Sequence, residues 1–265
     1  LARQMGRAED LIRVGELILW NIDLQVAINE QYEGIHSLIN AFVHVTVEIG
    51  QRERTKKLLE AYESLVPAGS SLFVNLCNLR CYYHWYIDQF ALALMWAERG
   101  MALKNKSGMD TDYDCEHNYN LALRDSGRYS EACDRFLKSA GLTTVDELFD
   151  ARIEDIGNGS VYGNIGRCLE KMERRKDALP MYAKSYELLV RAEDFHNIGY
   201  ASEWIGDCLV GLELRDEASD FYRHACHCWA KRSPPKKKKM EERFAEVGSG
   251  SVAYDEHSVE NTKRD

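Results

Sequence analysis

The sequence predicts an all-α protein in which similar helix pairs are stacked in a row. Apolar residues recur at helical spacing along most of the 265 residues, and no run of about four to eight β-branched residues alternates with polar ones. One pattern of small, aromatic and alanine residues also recurs several times along the chain. A recurring pattern at a spacing of this size indicates stacked structural repeats.

Three copies of the pattern are clear. Each has a small residue, a Gly or polar turn, an Ala, and then a further aromatic or small residue. The copies consist of Asn120, Leu123, Gly127, Tyr129, Ala132, Phe136 and Ser139; Tyr162, Ile165, Gly166, Leu169, Ala178, Tyr182 and Ser185; and Ile205, Gly206, Leu209, Ala218, Tyr222 and Ala225.

Two weaker copies precede them: Cys81, Asp88, Phe90, Ala93, Ala97 and Gly100; and Phe42, Gly50, Thr55, Leu59 and Tyr62, which lacks the aromatic and the Ala. Before these, Gly6, Ala8, Leu11 and Gly15 resemble a second helix without its first. We therefore expect that the chain, which begins with Leu1, is part of a longer protein.

These residues resemble the signature of the tetratricopeptide repeat, in which Leu-Gly, Tyr, Gly-x-Tyr-x-x-Ala and a further aromatic follow one another. The resemblance implies an α-solenoid of about five helix pairs that forms a right-handed superhelix with a concave groove. The small residues between paired helices are Val43, Cys81, Asn120, Gly166 and Gly206, at spacings of 38, 39, 46 and 40. The usual period is about 34, so the longest interval predicts an extra helical turn, capped by Thr144.

Small residues of the repeats are expected to let paired helices approach closely. Gly166 and Gly206 lie on the first helix of their pairs, and the second helices carry Ala132, Ala178 and Ala218. The eight Cys lie mostly within amphipathic patterns, which favours buried thiols over disulfides. Two spacings, Cys77 with Cys81 and His224 with Cys228, match half of a metal site, but no second pair follows at finger-like spacing.

We divide the chain into three segments. Residues 1–232 form the superhelical domain, and 233–247 form a basic Pro/Lys segment with a short helix. Its PPKKKK cluster is expected to be a solvated linker rather than an import signal or acidic-surface binder. Residues 248–265 comprise a GSGS linker and a polar tail, either native and disordered or an appended peptide.

Charge and hydropathy exclude several function classes. The net charge is -9, and residues 231–247 are the basic part, with seven Lys/Arg against three Glu. The remaining body is therefore acidic, which disfavours nucleic acid as a partner. No stretch approaches the roughly 18 apolar residues that span a bilayer, and the N-terminus is not a secretory signal. A cytoplasmic protein without a membrane partner is expected.

Catalysis is not expected either. The sequence lacks a P-loop and the HExxH, GxSxG and paired CxxC motifs. GNGSVYGNIG reads as a helix start, because the Lys-Ser/Thr of a phosphate loop does not follow it. We predict no enzyme activity, no cofactor and no bound metal.

The register of the resemblance places the solvent-facing residues of the first helices in the concave groove. Asn75 and Asn78 have the chemistry to bind a peptide backbone, and Tyr82, Trp85 and Tyr86 form an aromatic anchor or pack between layers. Two arginines have the geometry to hold a carboxylate. The predicted ligand-binding residues are Asn75, Asn78, Tyr82, Trp85, Tyr86, His117, Arg124, Arg167 and Lys171.

The chaperone-tail subtype of the family is not expected. Its Lys and Asn clamp is replaced here by Tyr82, Leu121, Arg167 and Asp207. The repeats 164–189 and 196–235 instead resemble the C-terminal sensor arrays of bacterial STAND-type signal-transduction ATPases. That resemblance implies a ligand-sensing domain of a larger regulator, in immunity against phage, whose partners include a protein or peptide ligand and its own upstream NTPase domain. The alternative is a free-standing scaffold or adaptor that binds a linear peptide.

Overall fold

The computed structural model describes residues 8–21, 23, 25–26, 35–107, 115–150, 159–230 and 232–247. Across these residues the regular structure is helical, without strands. The helices, in chain order, are α1 (Ala8–Asn21), α2 (Ile35–Glu48), α3 (Arg52–Leu65), α4 (Ser71–Tyr86), α5 (Phe90–Ser107), α6 (Cys115–Asp125), α7 (Tyr129–Ser139), α8 (Val145–Asp150), α9 (Gly159–Lys171), α10 (Arg175–Arg191), α11 (Phe195–Gly211), α12 (Arg215–Trp229) and α13 (Pro234–Val247).

Consecutive helices form the predicted pairs. Helix α2 packs on α3, α4 on α5, α6 on α7, α9 on α10, and α11 on α12. First helices of neighbouring pairs also contact each other, as α2 does with α4, α4 with α6, and α9 with α11. Helix α1 packs on α2, and α13 packs on α12. The prediction of an all-α, TPR-like solenoid of about five helix pairs is confirmed.

The five pairs share one turn geometry. In each turn one residue has a left-handed backbone: Gly50 (φ 88°), Asp88 (61°), Gly127 (96°), Glu173 (63°) and Glu213 (66°). The N–H of the next residue donates to the carbonyl five residues earlier in all five cases. This hydrogen bond satisfies a carbonyl that the end of the first helix leaves without an intrahelical partner.

The glycines of the last two pairs lie where helices approach most closely. A Cβ at Gly166 would lie 2.8 Å from the ring of Tyr182, and one at Gly206 would lie 2.6 Å from the ring of Tyr222. Both distances are too short for any side chain larger than hydrogen. The close-approach role predicted for Gly166 and Gly206 is therefore confirmed.

The long interval between the third and fourth pairs contains the predicted extra helix. Helix α8 begins after Thr144, whose hydroxyl accepts a hydrogen bond from the Glu147 N–H at 3.2 Å. The lysine cluster differs from prediction, because α13 begins at its first proline and the expected solvated linker is wrong. Proline suits the first turn of a helix, where its missing N–H has no intrahelical partner anyway. The proposed GSGS linker and tail lie outside the described residues.

Candidate functional site

A cavity of about 220 Å³ lies on the side of the first helices. Its aromatic wall comes from the second and fifth pairs of the array: Tyr82 and Trp85 on α4, and Tyr200 and Trp204 on α11. His44, His117 and His196 also line it. We call this space the aromatic cavity. The Trp85 and Tyr200 rings are 6.2 Å apart although 115 positions separate them in the chain, so the array curves far enough to bring its second and fifth pairs together.

The residues predicted on α4 divide between the cavity and the core. Asn75 is fully buried, and its Nδ2 donates to the Tyr62 hydroxyl at 3.4 Å. Asn78 is partly buried and accepts a hydrogen bond from Asn118 at 2.8 Å. Tyr82 and Trp85 line the cavity. Two of the five predicted residues on α4 therefore line the aromatic cavity.

Both aromatic residues that line the cavity from α4 are held by carboxylates. The Tyr82 hydroxyl donates to Glu48 at 2.9 Å, and the Trp85 indole N–H donates to Asp125 at 2.6 Å. These bonds satisfy the polar ends of the side chains. The ring faces are thereby fixed in orientation toward the cavity.

The predicted arginines are bound by groups of the chain itself. Arg124 is 2% exposed, forms two hydrogen bonds with Asp125 at 2.6 and 2.8 Å, and also donates to Asn164. Its guanidinium lies 5.1 Å from the centre of the Trp204 ring, in a cation–π contact. Although burial acts to raise the pKa of Asp125, the charge and hydrogen bonds of Arg124 outweigh it and lower that pKa.

The second arginine links two neighbouring repeats. Arg167 on α9 donates to Glu170 at 2.8 Å and to Asp207 on α11 at 3.0 Å. It is expected to fix the spacing between these helices, because one guanidinium bridges two carboxylates. Of the remaining predicted residues, His117 lines the cavity and Lys171 is exposed at the end of α9.

Tyr86 does not line the aromatic cavity, and its hydroxyl bonds to the C-terminal segment. Its oxygen lies 2.8 Å from the Ser233 hydroxyl, which in turn donates to the backbone carbonyl of Glu48 at 2.8 Å. The segment before α13 therefore reaches the ends of α2 and α4. Sequence reasoning missed this contact, because a link between residues 185 positions apart leaves no local signal.

Further cavity residues also escaped prediction. Tyr200, Trp204 and Ser185 line the cavity but are not among the predicted ligand-binding residues. Ser185 is 1% exposed, and its hydroxyl is a buried polar atom with no hydrogen-bond partner among the described residues. The spacing of Tyr200 and Trp204, i and i+4, matches that of Tyr82 and Tyr86 and was the one available signal.

The metal and thiol expectations are tested only over the residues that the structure describes. There, no group of three or more His, Cys, Asp or Glu side chains has a metal-binding arrangement. All eight cysteines are buried and free. Burial raises the pKa of the Cys77 thiol to about 12, which keeps it protonated at neutral pH. In that same part of the chain, no helix has the length and apolar character needed to cross a membrane.

Comparison with known proteins gives similarity at the level of the fold. No protein-family model matches the sequence, and no curated protein matches it. One similar solved structure is that of nearly identical TPR-like repeats of a protein described as a kinesin light chain from Podosopora anserina. It is 13% identical, covers 79% of this chain and 98% of that chain, and has a TM-score of 0.45. BtubC (BKLC) from P. vanneervenii is 14% identical, covers 96% of this chain and 97% of that chain, and has a TM-score of 0.43.

Proposed function

We propose that this chain is a non-enzymatic protein-recognition module that binds a segment of a partner protein on the side of its first helices. The observation that carries the proposal is the aromatic cavity, because rings from the second and fifth pairs of the array converge on one space of about 220 Å³. Such convergence of Trp and Tyr is typical of the sites where a partner's anchor side chain binds.

The size of the cavity favours one anchor side chain over a whole small-molecule ligand. Pockets for small molecules usually enclose about 300–1,000 Å³, which exceeds the volume here. The walls combine ring faces with amide and hydroxyl groups, including those of Asn118, Asn164 and Ser185. An aromatic or aliphatic side chain with a polar tip fits this combination, since its apolar body packs on the rings and its tip reaches a hydrogen-bonding group.

We further propose that the module is the ligand-sensing part of a larger STAND-type regulator, in antiphage immunity. This step rests on the resemblance of residues 164–189 and 196–235 to such sensor arrays. The alternative is a free-standing scaffold or adaptor that binds a linear peptide with the same cavity. Sequencing the gene upstream of the Leu1 codon separates the two, because a nucleotide-binding module in the same reading frame supports the regulator and a start codon close to Leu1 supports the adaptor.

The test of recognition is to fill the cavity without changing the charge of the chain. Ser160 lines the cavity near the start of α9, so Ser160→Trp would place a large ring in the space. Ser130 is exposed on α7, so Ser130→Trp is the matched control. Affinity capture with each variant and the unchanged chain, quantified by mass spectrometry, should show a partner that Ser160→Trp loses at least tenfold and Ser130→Trp retains.

Two results would count against the proposal. One is a partner captured equally by all three chains, which would place binding elsewhere on the molecule. The other is capture of no partner by the unchanged chain. Thermal melting of each variant is needed as well, because loss of binding is informative only if Ser160→Trp melts within a few degrees of the control.

A further inference from the structure

Helix α13 presents one basic face to the rest of the molecule. Lys236, Lys239 and Arg243 are spaced i, i+3 and i+7, which places them on the same side of the helix. All three side chains contact aromatic or acidic groups of α11 or α12. Lys237 and Lys238 lie on other sides of the helix, and Lys237 pairs with Glu241 of α13 itself at 3.2 Å.

The Lys236 ammonium is surrounded by three aromatic rings. Its Nζ lies 5.1 Å from the ring centre of Tyr86, 4.3 Å from that of Tyr200 and 5.4 Å from that of Trp229. The Tyr200 and Trp229 rings are nearly perpendicular, at 82°. A cage of ring faces around a cation is the arrangement by which proteins bind alkylammonium groups, so these three residues form a site for a lysine side chain.

Two carboxylates of α11 extend this site along the helix. Glu203 and Asp207 are one turn apart, and Glu203 accepts from Lys239 at 3.1 Å while Asp207 accepts from Arg243. Burial acts to raise the pKa of Glu203, but the positive charges of Lys236, Lys239 and Arg243 outweigh it and hold that pKa at about 2. The carboxylate is therefore ionised throughout the physiological range and requires a cation beside it.

The helix that fills this site is held by apolar as well as polar contacts, because Met240 belongs to the core cluster and Phe244 and Val247 pack against it. Met240 is the one fully buried residue of α13, and the Lys239 side chain is 48% exposed. Salt screens the exposed Lys239 end of its ion pair, whereas Glu203 at the other end is 5% exposed. Helix α11 buries ten residues and α12 buries six, and some of them, including Glu203 and Trp229, contact α13. Release of α13 would leave Glu203 and Asp207 without these cations, so a partner that displaces it must supply cations in their place.

We propose that Glu203, Asp207 and the ring cage of Tyr86, Tyr200 and Trp229 form a docking site for a basic helix of a partner protein, which α13 occupies until the partner displaces it. The partner helix carries Lys or Arg at positions i, i+3 and i+7, with Lys in the first. This inference rests on the proposed recognition function and names the chemistry of a second contact beside the aromatic cavity.

Competition with α13 sets the affinity that is observed. A tethered segment has an effective concentration on the order of millimolar, so a free helix of similar sequence binds the closed chain weakly. Weakening the α13 contacts raises the fraction of chains in which α13 is released from the site. The apparent Kd of the free helix for the chain falls in proportion. The site is therefore best tested in full chains that differ only in the strength of the α13 contacts.

The experiment measures binding of a fluorescent peptide of residues 232–247, RSPPKKKKMEERFAEV, to the full chain by anisotropy. The test variant is Lys236→Gln/Lys239→Gln, which weakens the contacts of the chain's own α13. The control is Lys237→Gln/Lys238→Gln, which removes the same charge from other sides of the helix. We expect the peptide to bind the test variant at least tenfold more tightly than the control or the unchanged chain. Binding should weaken when NaCl is raised and disappear when the peptide itself carries Lys236→Gln and Lys239→Gln.

Three results would overturn the inference: equal affinity of the peptide for both variants, binding that survives the two peptide substitutions, or a dimer whose formation requires Lys236 and Lys239. The last would assign the site to α13 of a second copy. Tyr200 belongs to both sites, so failure here is separable from failure of the recognition proposal because the peptide assay varies only α13 and keeps Ser160 unchanged. A partner lost on Ser160→Trp would still support recognition if the peptide did not bind.

Discussion

The first and last helix pairs fill the same gap in different ways. In α9–α10 and α11–α12, a glycine faces a tyrosine: Gly166 with Tyr182 and Gly206 with Tyr222. At the equivalent positions of α2–α3 stand Val43 and Leu59, both fully buried in one core cluster. A very small and a very large residue thus replace two of medium size. Volume added at one position is offset in part by volume removed at the other, which is the kind of exchange that cores tolerate best.

The two packing arrangements also differ in the hydrogen bonds that their residues make. The Tyr182 hydroxyl donates to Glu170 at 2.7 Å and the Tyr222 hydroxyl donates to Asp207 at 2.9 Å. These carboxylates also receive hydrogen bonds from Arg167. Val43 and Leu59 carry no polar group and orient nothing. The C-terminal pairs therefore use a packing residue to position an acidic face, and the N-terminal pair uses packing alone.

The largest expected effect comes from disrupting the contact between Gly206 and Tyr222 in the last pair. Gly206→Val should destabilise the chain by about 3 kcal/mol, because its side chain would overlap the Tyr222 ring. Adding Tyr222→Leu imports the N-terminal combination and should recover part of the loss. Urea unfolding followed by circular dichroism measures both. If the double variant were no more stable than Gly206→Val, exchange of volume between the two positions would not explain the comparison.

A smaller effect is expected from the negative charge of Glu203, the buried carboxylate of α11 that pairs with α13. Glu203→Gln should cost about 2 kcal/mol at pH 7, because a buried carboxylate bound by cations is replaced by a neutral amide. The lowered pKa of Glu203 means that its contribution is present above pH 4.5, the ordinary value, and is lost as the pH falls toward 2.

The measurement is the free energy of unfolding of both chains from pH 7 to pH 3. The difference in free energy of unfolding between the unchanged chain and Glu203→Gln should decrease progressively below pH 4.5. A gap that stays constant across this range would show that ionisation of Glu203 is not its source. Glu217→Gln, at an exposed position of α12, is the matched control and should show no gap.

The comparison also separates what the sequence could predict from what it could not. Helix pairing, the shared turns, the Gly166 and Gly206 contacts and the Thr144 cap follow from residues close together in the chain, so local patterns reveal them. The burial of Arg124 depends on Asn164, 40 positions away, and the docking of α13 depends on Glu48, 185 positions before Ser233. The first contact joins adjacent pairs and the second joins the C-terminal segment to α2, and the repeat pattern specifies neither side-chain partner.

The aromatic cavity could be predicted from the sequence only in part. Its α4 residues Tyr82 and Trp85 were predicted from repeat register, since register determines which side of a helix faces the groove. Its α11 residues Tyr200 and Trp204 meet them only because the array closes, with the Trp85 and Tyr200 rings 6.2 Å apart. Register therefore predicts the members of one wall, whereas the opposite wall depends on the overall bend.

The smallest expected effect concerns the turns within the pairs. Here the earlier pairs carry the glycine and the last pair carries the larger residue. The first and third pairs have glycine at the left-handed position, Gly50 and Gly127, and the last pair has Glu213 at φ 66°. A side chain is strained in this conformation, so Glu213→Gly should raise the free energy of unfolding by about 0.5–1 kcal/mol. Gly127→Ala is the mirror control and should lower it by a similar amount, since no atom lies within 4 Å of the added Cβ and only backbone strain changes. Thermal melting resolves both shifts, and changes of the same sign in the two variants would show that backbone conformation does not control the stability of these turns.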